Sequence, residues 1–312
     1  MQKNDNQTNI VIIGSVNVDM IVQIPHLPKA GETVIGGTFT QANGGKGANQ
    51  AVAASRAGGK VTFIACVGDD TLGAELTQYF QQEGICTDFI FKEKNVATGL
   101  ALIMVDEKGT NSIAVASGAN ARLGRHHIDQ VEQAISQADI VLLQLEIPLE
   151  TVIYAVDLAK QMGKKVLLNP APAQKLPKDS LSKIDILIPN EIEAEMLTGL
   201  KFEEEGNKIG ELLLSLGIGT VIITLGEKGC YVIDHQSAKQ IPAPQVKAID
   251  TTAAGDVFCG TLAVGLAEHK TLAEAVHFAS ASAALSVTRL GAQPSAPYRK
   301  EIENFLEELV GE

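Results

Sequence analysis

Short apolar runs rich in β-branched residues alternate with amphipathic segments along most of the chain. Runs of this length are typical of strands buried on both faces of a parallel sheet. The runs are 10–13, 61–67, 140–145, 166–168, 186–188 and 221–225. The segments that predict helices are 47–57, 72–83, 128–137, 151–162, 192–198 and 208–216. This order predicts β-α-β crossovers in an α/β fold, a doubly wound sandwich with a mainly parallel central sheet.

Two regions, at about 18–40 and 97–116, interrupt this alternation. Each contains two strand-like stretches around a turn signal, Pro-Lys-Ala-Gly at 28–31 and Asp-Glu-Lys-Gly at 106–109, which favours hairpins. Both leave the main sheet near strand ends, where α/β proteins bind ligands. We therefore expect a small β lid over the site, with ordinary surface decoration as the alternative. No shift in composition marks a boundary, so residues 1–312 are expected to form a single domain.

Composition and charge exclude several classes of protein. The formal net charge of −12 disfavours binding of nucleic acid or an anionic membrane through a basic surface. No apolar run is long enough for a membrane span, and no secretory signal precedes the first strand. The four cysteines lack the paired spacing of a zinc or redox motif. We expect a cytoplasmic protein with reduced thiols.

The segment 250–260, Asp-Thr-Thr-Ala-Ala-Gly-Asp-Val-Phe-Cys-Gly, carries the strongest chemical signal. Apolar residues recur every four positions from Phe258, which predicts a helix that begins near Asp256. The small residues before Asp256 would let an anion approach the N–H groups at the helix N-terminus. A carboxylate there can accept a hydroxyl proton, so the segment suits phosphoryl transfer. The alternative is an acid that merely complements the helix dipole.

A second motif, Gly-Ser-Val-Asn-Val-Asp at 14–19, directly follows the first predicted strand. Its alternation places Asn17 and Asp19 on one side of an extended segment, where their polar atoms suit adjacent sugar hydroxyls. Loop capping is the competing interpretation, because both residue types commonly cap turns.

A third motif, Asn-Gly-Gly-Lys-Gly-Ala-Asn at 43–49, is neither a phosphate-binding loop nor a dinucleotide fingerprint. Its glycines permit a tight turn beneath a small ligand, with Lys46 and Asn49 as hydrogen-bond donors. A structural glycine turn before an alanine-rich helix is the alternative.

Three further polar groups follow predicted strands, at the edge where α/β proteins bind ligands. They are Glu146, the acidic segment 190–193 and the glycine turn 224–229. Carboxylates at 190–193 suit a hydrated Mg²⁺ ion on a nucleotide, or they form an ordinary acidic helix start. Glu146 can equally be a surface residue, and 224–229 a hairpin turn.

Together these motifs resemble the ribokinase-like, or phosphofructokinase-B, family of carbohydrate kinases. The segments 43–49 and 250–256 match its two signatures in order and separation, and the resemblance runs from residue 10 to about 306. It implies a three-layer α/β/α sandwich with a small β lid and ATP-dependent phosphorylation of a sugar. The ending Val-Thr-Arg-Leu-Gly-Ala-Gln-Pro-Ser at 287–295 points within the family to D-ribose, phosphorylated at O5 to D-ribose 5-phosphate.

The resemblance also implies roles for individual residues. Asp256 would be the general base, with Ala253, Ala254 and Gly255 completing a backbone anion hole. The sugar would be bound by Asn17, Asp19, Gly45, Lys46, Asn49, Glu146 and Asp256. ATP would be bound by Asn190, Thr224, Leu225, Gly226, Glu227, Lys228, Gly229, Ala254, Gly255 and Ser280. Glu193 would lie near Mg²⁺, through water. A monovalent cation, normally K⁺, would be bound by Asp250, Thr252, Ser286, Arg289, Gly291 and Ser295, several through backbone carbonyls.

Three positions depart from the family pattern. Val257 and Cys259 stand where many members have Thr and Asn, but Val257 keeps its backbone amide and so preserves the anion hole. Cys259 is either an oxidation-sensitive thiol or a buried inert one. Ser280 occupies a position near adenine that is often His or Asn, which puts tight adenine contacts in question.

Several readings of function stay open beside phosphorylation of ribose. A sister kinase would act on deoxyribose, fructose or a nucleoside; the aromatic content of 4% leaves few stacking platforms for a nucleobase and so favours a sugar. A non-catalytic sugar-binding regulator is the rival from another class. Exposed lid edges, together with the resemblance, predict a homodimer that pairs through the lids.

Overall fold

The computed structural model describes residues 8–311, without the side chains at 203–205, 207, 310 and 311. Its strands are β1 (Asn9–Ile13), β2 (Asn17–Gln23), β3 (Thr38–Gly44), β4 (Lys60–Gly68), β5 (Ile90–Glu93), β6 (Gly99–Val105), β7 (Asn111–Ala116), β8 (Ile140–Leu143), β9 (Lys165–Leu168), β10 (Ile186–Leu187), β11 (Thr220–Thr224), β12 (Cys230–Asp234) and β13 (Ala238–Ile241). Its helices are α1 (Lys46–Arg56), α2 (Thr71–Gln82), α3 (Arg125–Gln130), α4 (Glu132–Gln137), α5 (Leu149–Gln161), α6 (Lys178–Leu181), α7 (Glu191–Thr198), α8 (Phe202–Ser215), α9 (Ala254–Ala267), α10 (Leu272–Ser286) and α11 (Arg299–Gly311).

Nine strands form the central sheet, in the order β13-β12-β11-β10-β9-β8-β1-β4-β5. The run from β11 to β5 is parallel, and β12 and β13 add an antiparallel edge next to β11. The predicted α/β fold with a mainly parallel sheet is confirmed. Parallel strands bring their carboxyl ends to one edge, which collects the loops that follow β1, β8, β9, β10 and β11.

Two hydrophobic clusters fill the space on either side of this sheet. Along β1, Ile10 and Ile12 belong to one cluster, whereas Val11 and Ile13 belong to the other. This division follows from the alternation of side chains across a strand. It explains why the strand sequences are apolar at every position, and it produces the three layers of the sandwich.

A separate four-stranded sheet, in the order β3-β2-β6-β7, contains most of the regions 18–40 and 97–116. We call it the lid sheet. β2 pairs antiparallel with β3 and parallel with β6, while β6 and β7 form an antiparallel hairpin. In the hairpin turn the carboxylate of Asp106 accepts the N–H groups of Lys108 and Thr110 at 2.9 and 2.8 Å, and Gly109 has a φ of 80°. Such turn chemistry joins adjacent antiparallel strands.

Besides β5, α6, α10 and α11, which the sequence analysis did not assign, the structure differs from the predicted elements in two places. The helix predicted at 128–137 is divided into α3 and α4 at Val131, whose φ is −110°. The hairpin β12–β13 was not predicted, because β13 is largely exposed and therefore has no apolar periodicity. Within the described part of the chain, no helix combines the length and apolarity that crossing a membrane requires.

Candidate active site

Asp256 lies in the first turn of α9, at the ligand-binding edge of the central sheet. Its side chain is buried, with 6% of its surface exposed. Oδ2 accepts a hydrogen bond from Asn49 Nδ2 at 2.9 Å, and Oδ1 accepts one from Gln50 Nε2 at 3.0 Å. Both donors come from α1. The 43–49 and 250–256 segments therefore meet in the structure, although Asn49 and Asp256 are 207 residues apart in the sequence.

The electrostatic surroundings of Asp256 combine opposing influences. Burial raises the pKa of its carboxyl, whereas the charge of Lys46 and the hydrogen bonds from Asn49 and Gln50 act to lower it. Burial prevails, so the pKa lies above its usual value. A carboxylate with raised proton affinity that is still surrounded by donors is suited to receive a proton from a substrate hydroxyl.

The backbone just before Asp256 leaves room for an anion. Ala253 precedes α9 in the left-handed region, with a φ of 58°. The first N–H groups of a helix lack acceptors within the helix, so those of Gly255 and Asp256 are directed outward. A Cβ on Gly255 would meet nothing within 4 Å. The turn therefore offers open backbone donors beside a buried carboxylate, as an anion hole requires.

Asn17 and Asp19 both lie on β2, where the lid sheet joins the end of β1. Asn17 Oδ1 accepts from Asn120 Nδ2 at 2.8 Å, so its amino group is the part left for a ligand. Burial, and secondarily the charge of Glu146, raises the pKa of Asp19 to about 6. The two side chains have the donor and acceptor groups that neighbouring hydroxyls need.

The turn that precedes α1 depends on Gly45. Its φ is 91°, and a Cβ there would lie 2.7 Å from Asn17 N and 2.8 Å from Ser15 O. The turn places the backbone N–H of Lys46 3.0 Å from Glu146 Oε2, and Ser15 Oγ donates to the same oxygen at 2.5 Å. Glu146 thus connects the end of β8 to both glycine-containing motifs.

Lys46 supplies the positive charge of this region. Its side chain is partly buried, and the negative charge of Asp256 is the main reason that its pKa is raised, with smaller contributions from Glu146 and Glu193. The ammonium therefore stays protonated and balances the carboxylates.

Residues predicted to bind the nucleotide lie on neighbouring strand ends. Asn190 forms an isolated parallel bridge with Thr224. The turn from Leu225 to Gly229 is closed by the Leu225 N–H, which donates to the Gly229 carbonyl at 2.8 Å; Gly226, Glu227 and Lys228 form its 3-10 segment. Ser280 lies in α10 and is 7% exposed.

Glu193 takes part in a helix cap at the start of α7. Asn190 Oδ1 accepts from the Glu193 N–H at 2.8 Å, and Glu193 Oε2 accepts from the Asn190 N–H at 2.9 Å. Burial raises the pKa of Glu193, and its carboxyl also interacts with the charges of Lys46 and Asp256. Residues 190–193 therefore do form an acidic helix start, and the Glu193 carboxyl interacts with the charges of Lys46 and Asp256.

The residues predicted to bind a monovalent cation lie on two connected loops and at the end of α10. The Asp250 carboxylate accepts from Thr252 N and Oγ1 at 2.9 and 2.6 Å and from Gly291 N at 2.8 Å. Burial raises the pKa of Asp250, but these hydrogen bonds outweigh it, and the pKa lies below its usual value. Arg289 N donates to the Ser286 carbonyl at 3.0 Å, and Ser295 Oγ donates to the Ala292 carbonyl at 2.7 Å.

The sequence analysis missed Gln293, which donates to Asn49, and four further amides of the site: Gln50, Asn120, Gln144 and Asn169. Asn120 holds Val16 and Asn17, while the other three form a buried chain that ends on Asp256. The available signal was position, since Asn169 follows an apolar strand run, Gln144 is the polar residue within the run 140–145, and Gln50 follows the 43–49 motif.

Two of the residues that depart from the family pattern, Val257 and Cys259, are packed among apolar side chains. Val257 is buried against Ala53 and Ala296. Cys259 lies in the core, and burial raises the pKa of its thiol well above the usual value. The thiol therefore stays protonated, and the inert interpretation of Cys259 is the one that the structure supports.

This fold, with a buried carboxylate beside an open helix N-terminus, defines an α/β enzyme of the phosphoryl-transfer type. Residues 7–299 match the pfkB family of carbohydrate kinases. The chain is 47% identical over 300 residues to a ribokinase of Haemophilus influenzae, covering 96% of this chain and 98% of that protein. It is 37% identical over 301 residues to a deoxyribokinase of Salmonella typhi, covering 96% and 98%.

The structure is also similar to that of Arabidopsis thaliana ribokinase complexed with ribose and ATP. The TM-score is 0.90 at 34% identity, covering 96% of this chain and 99% of that chain. The chain therefore belongs to the pfkB family of carbohydrate kinases, and the family predicted from its motifs is confirmed.

Proposed function

We propose that this carbohydrate kinase transfers the γ-phosphoryl group of ATP to O5 of D-ribose and so produces D-ribose 5-phosphate. One observation carries the proposal: Asp256 is buried at the N-terminus of α9 and bound through both oxygens by side chains of α1. The similarity to ribokinases over nearly the full chain supports ribose as the acceptor.

In the proposed reaction the primary hydroxyl of the sugar attacks the γ-phosphorus in line with the leaving ADP oxygen. Asp256 accepts the hydroxyl proton as the new O–P bond forms. The N–H groups at 253–256 receive the charge that develops on the transferring phosphoryl oxygens. Asn17 and Asp19 hold the other sugar hydroxyls, and the strand ends at Asn190 and Thr224 border the nucleotide.

The residues present suit two cations that reactions of this class use. Glu193 offers a carboxylate whose Oε2 is engaged in the helix cap, which leaves Oε1 for the water shell that Mg²⁺ keeps. A set of residues on two loops and at the end of α10 offers carboxylate and carbonyl oxygens, the hard donors that suit K⁺. They are Asp250, Thr252, Ser286, Arg289, Gly291 and Ser295. Mg²⁺ would neutralise phosphate charge, and K⁺ would order the turn that forms the anion hole.

The lid sheet is proposed to close over the sugar and to pair two chains. β3 and β7 are its edge strands, and exposed edges favour pairing. Phe39, Leu102, Ile113 and Val115 are each more than half exposed on this sheet. The register places Phe39 and Leu102 on one face and Ile113 and Val115 on the other, and exposed apolar residues of this kind are typical of an interaction site. A homodimer through the lids would cover it.

The test is ADP release with MgATP and K⁺ in the presence of D-ribose, 2-deoxyribose, fructose, adenosine or no acceptor. We expect strong release with D-ribose and lower release when Na⁺ replaces K⁺. Release with another acceptor only would reject ribose while keeping the kinase mechanism. Thermal stabilisation by ribose without any ADP release would support the non-catalytic sugar-binding regulator instead.

One alternative substrate has a specific observation in its favour. The deoxyribokinase of Salmonella typhi matches almost the full chain, so 2-deoxyribose is the second candidate acceptor. A ratio of kcat/KM values that favours 2-deoxyribose over D-ribose would establish it.

A further inference from the structure

We infer that Gln50 is a positioning residue that keeps the Asp256 carboxylate ionised and directed toward the substrate hydroxyl, and that a chain of buried amides sets its orientation. The inference deepens the proposed function and rests on it. Gln50 is fully buried. Its Nε2 donates to Asp256 Oδ1 at 3.0 Å and lies 3.2 Å from Asn169 Oδ1.

The orientation of these amides follows from a backbone carbonyl. Asn169 contacts the Ile188 carbonyl oxygen at 2.8 Å, and because that oxygen only accepts, the contacting group must be Asn169 Nδ2. Asn169 Oδ1 then faces Gln50 and requires the Gln50 amino group opposite it. At the far end, Gln144 Nε2 donates to Gln50 Oε1 at 2.5 Å. The Gln50 amino group is thus directed at Asp256.

The second oxygen of Asp256 is held in a similar way. Asn49 Nδ2 donates to Oδ2 at 2.9 Å, and Gln293 Nε2 donates to Asn49 Oδ1 at 3.1 Å, which orients the Asn49 amide. Each oxygen of the Asp256 carboxylate therefore accepts a hydrogen bond from one amide side chain. That side chain is in turn held in its orientation by another amide. Donors of this kind favour the ionised form, which is the form that acts as a base.

The charged groups around Asp256 do not make Gln50 redundant. Lys46 from α1 favours the carboxylate, whereas Glu146 after β8 opposes it. Glu193 from α7 adds a second negative charge, and the Cys259 thiol on α9 is buried and neutral. Since burial opposes ionisation as well, the two amide donors are needed to offset it.

Gln50→Met tests the inference, because methionine preserves the length of the side chain and removes the donor. With the accepted sugar at saturation, we expect the acid limb of the kcat profile to move to higher pH. The ratio of kcat at pH 6 to kcat at pH 8 should fall about fivefold relative to the unmodified enzyme. The KM values for sugar and ATP should stay within about twofold. Asn169→Leu should also move the acid limb of the kcat profile to higher pH, but by a smaller amount, because Gln144 still donates to Gln50.

Gln81→Met is the matched control. Gln81 is a glutamine of α2 whose Nε2 donates to Thr87 Oγ1 at 3.0 Å, and its replacement should leave the kcat ratio unchanged. A Gln50→Met enzyme that loses kcat equally at both pH values, or that loses sugar affinity instead, would overturn the inference.

A measurement without turnover separates this inference from the proposed function. The side-chain carboxyl of Asp256 can be titrated by ¹³C NMR, with its signal identified by its absence in Asp256→Asn. Gln50→Met should raise the pKa of that carboxyl. An unchanged titration refutes the role of Gln50, whether or not ribose is phosphorylated, while an enzyme inactive on every sugar refutes only the proposed function.

Discussion

Two carboxylates of the site, Asp256 and Asp19, have raised pKa values for related reasons. Burial is the main cause at both positions, and the charge of Glu146 adds to it. Their surroundings differ in the donors that they supply. Asp256 is bound by two amides, and such a group can be a buried base. Asp19 lies where a sugar hydroxyl would be its partner.

Replacing Asp256 by asparagine should separate chemistry from binding. The amide cannot accept the hydroxyl proton, so kcat should fall about 10³-fold. Ribose affinity measured by calorimetry should stay within about threefold, because the other sugar contacts are kept. Asp129→Asn, which changes a carboxylate that hydrogen-bonds Tyr154 at an exposed position, is the control. Turnover of Asp256→Asn near the parent rate would exclude Asp256 as the base.

The pKa of Asp19, about 6, predicts how sugar binding depends on pH. The ionised form accepts hydrogen bonds from hydroxyls, so affinity should be full above this pKa and should decline as the pH falls through 6. The KM for ribose should therefore rise below about pH 6. Glu146→Gln should shift the midpoint to lower pH, since the charge of Glu146 contributes to the raised pKa. A KM that does not vary between pH 5 and 8 would contradict this assignment.

At the scale of elements, the site depends on how closely α1 and α9 approach each other. A Cβ on Gly260 of α9 would lie 2.4 Å from the Gln50 carbonyl oxygen and 3.0 Å from Ala53 Cβ. These helices meet through glycine and alanine, so their backbones come near enough for two α1 amides to reach Asp256. Small residues at a helix contact thus determine the geometry around Asp256, the proposed base.

Gly260→Ala should therefore impair catalysis through helix packing alone. The added methyl must move α1 away from α9, which should cost about 1–2 kcal/mol of unfolding free energy and reduce kcat about tenfold. Gly265→Ala on the same helix is the control, because its Cβ would meet Ala275 at 3.1 Å, a milder contact on the side of α10. The free energy of unfolding in denaturant and kcat are to be measured for both variants. Equal kcat in the two variants would show that the approach of α1 does not control the base.

At the scale of the whole molecule, the residues proposed to bind the sugar connect two sheets. Asn17 and Asp19 belong to the lid sheet, whereas Asp256 and Glu146 belong to the central sandwich. Movement of the lid sheet would therefore assemble or open the sugar site. Exposed apolar residues lie on both faces of the same sheet, Phe39 and Leu102 opposite to Asp19 and Ile113 and Val115 on its side, so the proposed closure and chain pairing would involve one element.

Leu102→Asp tests the homodimer. Leu102 pairs with Met20 in the sheet register. Met20 is one residue beyond Asp19, so Leu102 lies on the face opposite to Asp19. In sedimentation velocity at micromolar concentration, the unmodified chain should be a dimer and Leu102→Asp a monomer. Leu212→Asp, at an exposed position of α8, should stay dimeric. An unmodified chain that sediments as a monomer would exclude pairing through the lids.

A structural feature of this protein can be predicted from the sequence when the residues that determine it are close together in the chain. The strand runs and most helices follow from local periodicity, because burial on one or two faces repeats at the period of the element. The break at Val131 and the hairpin β12–β13 escaped that reasoning. The apolar spacing of Ile128, Val131 and Ile135 continues through the break, so no local signal marks it, and β13 is largely exposed and has no apolar pattern.

The sequence alone determined the α/β class, the family and the positions of Asp256, Asn17, Asp19 and Glu146, since motifs and strand ends are local. Only the tertiary structure decided which side chains meet. Gln50 reaches Asp256 across 206 residues of chain, and Asn120 reaches Asn17 across 103. Gln50 directly follows the 43–49 motif, but neither its sequence context nor that of Asn120 identifies the partner. Their roles arise from the buried contacts that helix approach and sheet order create, and no local pattern encodes those contacts.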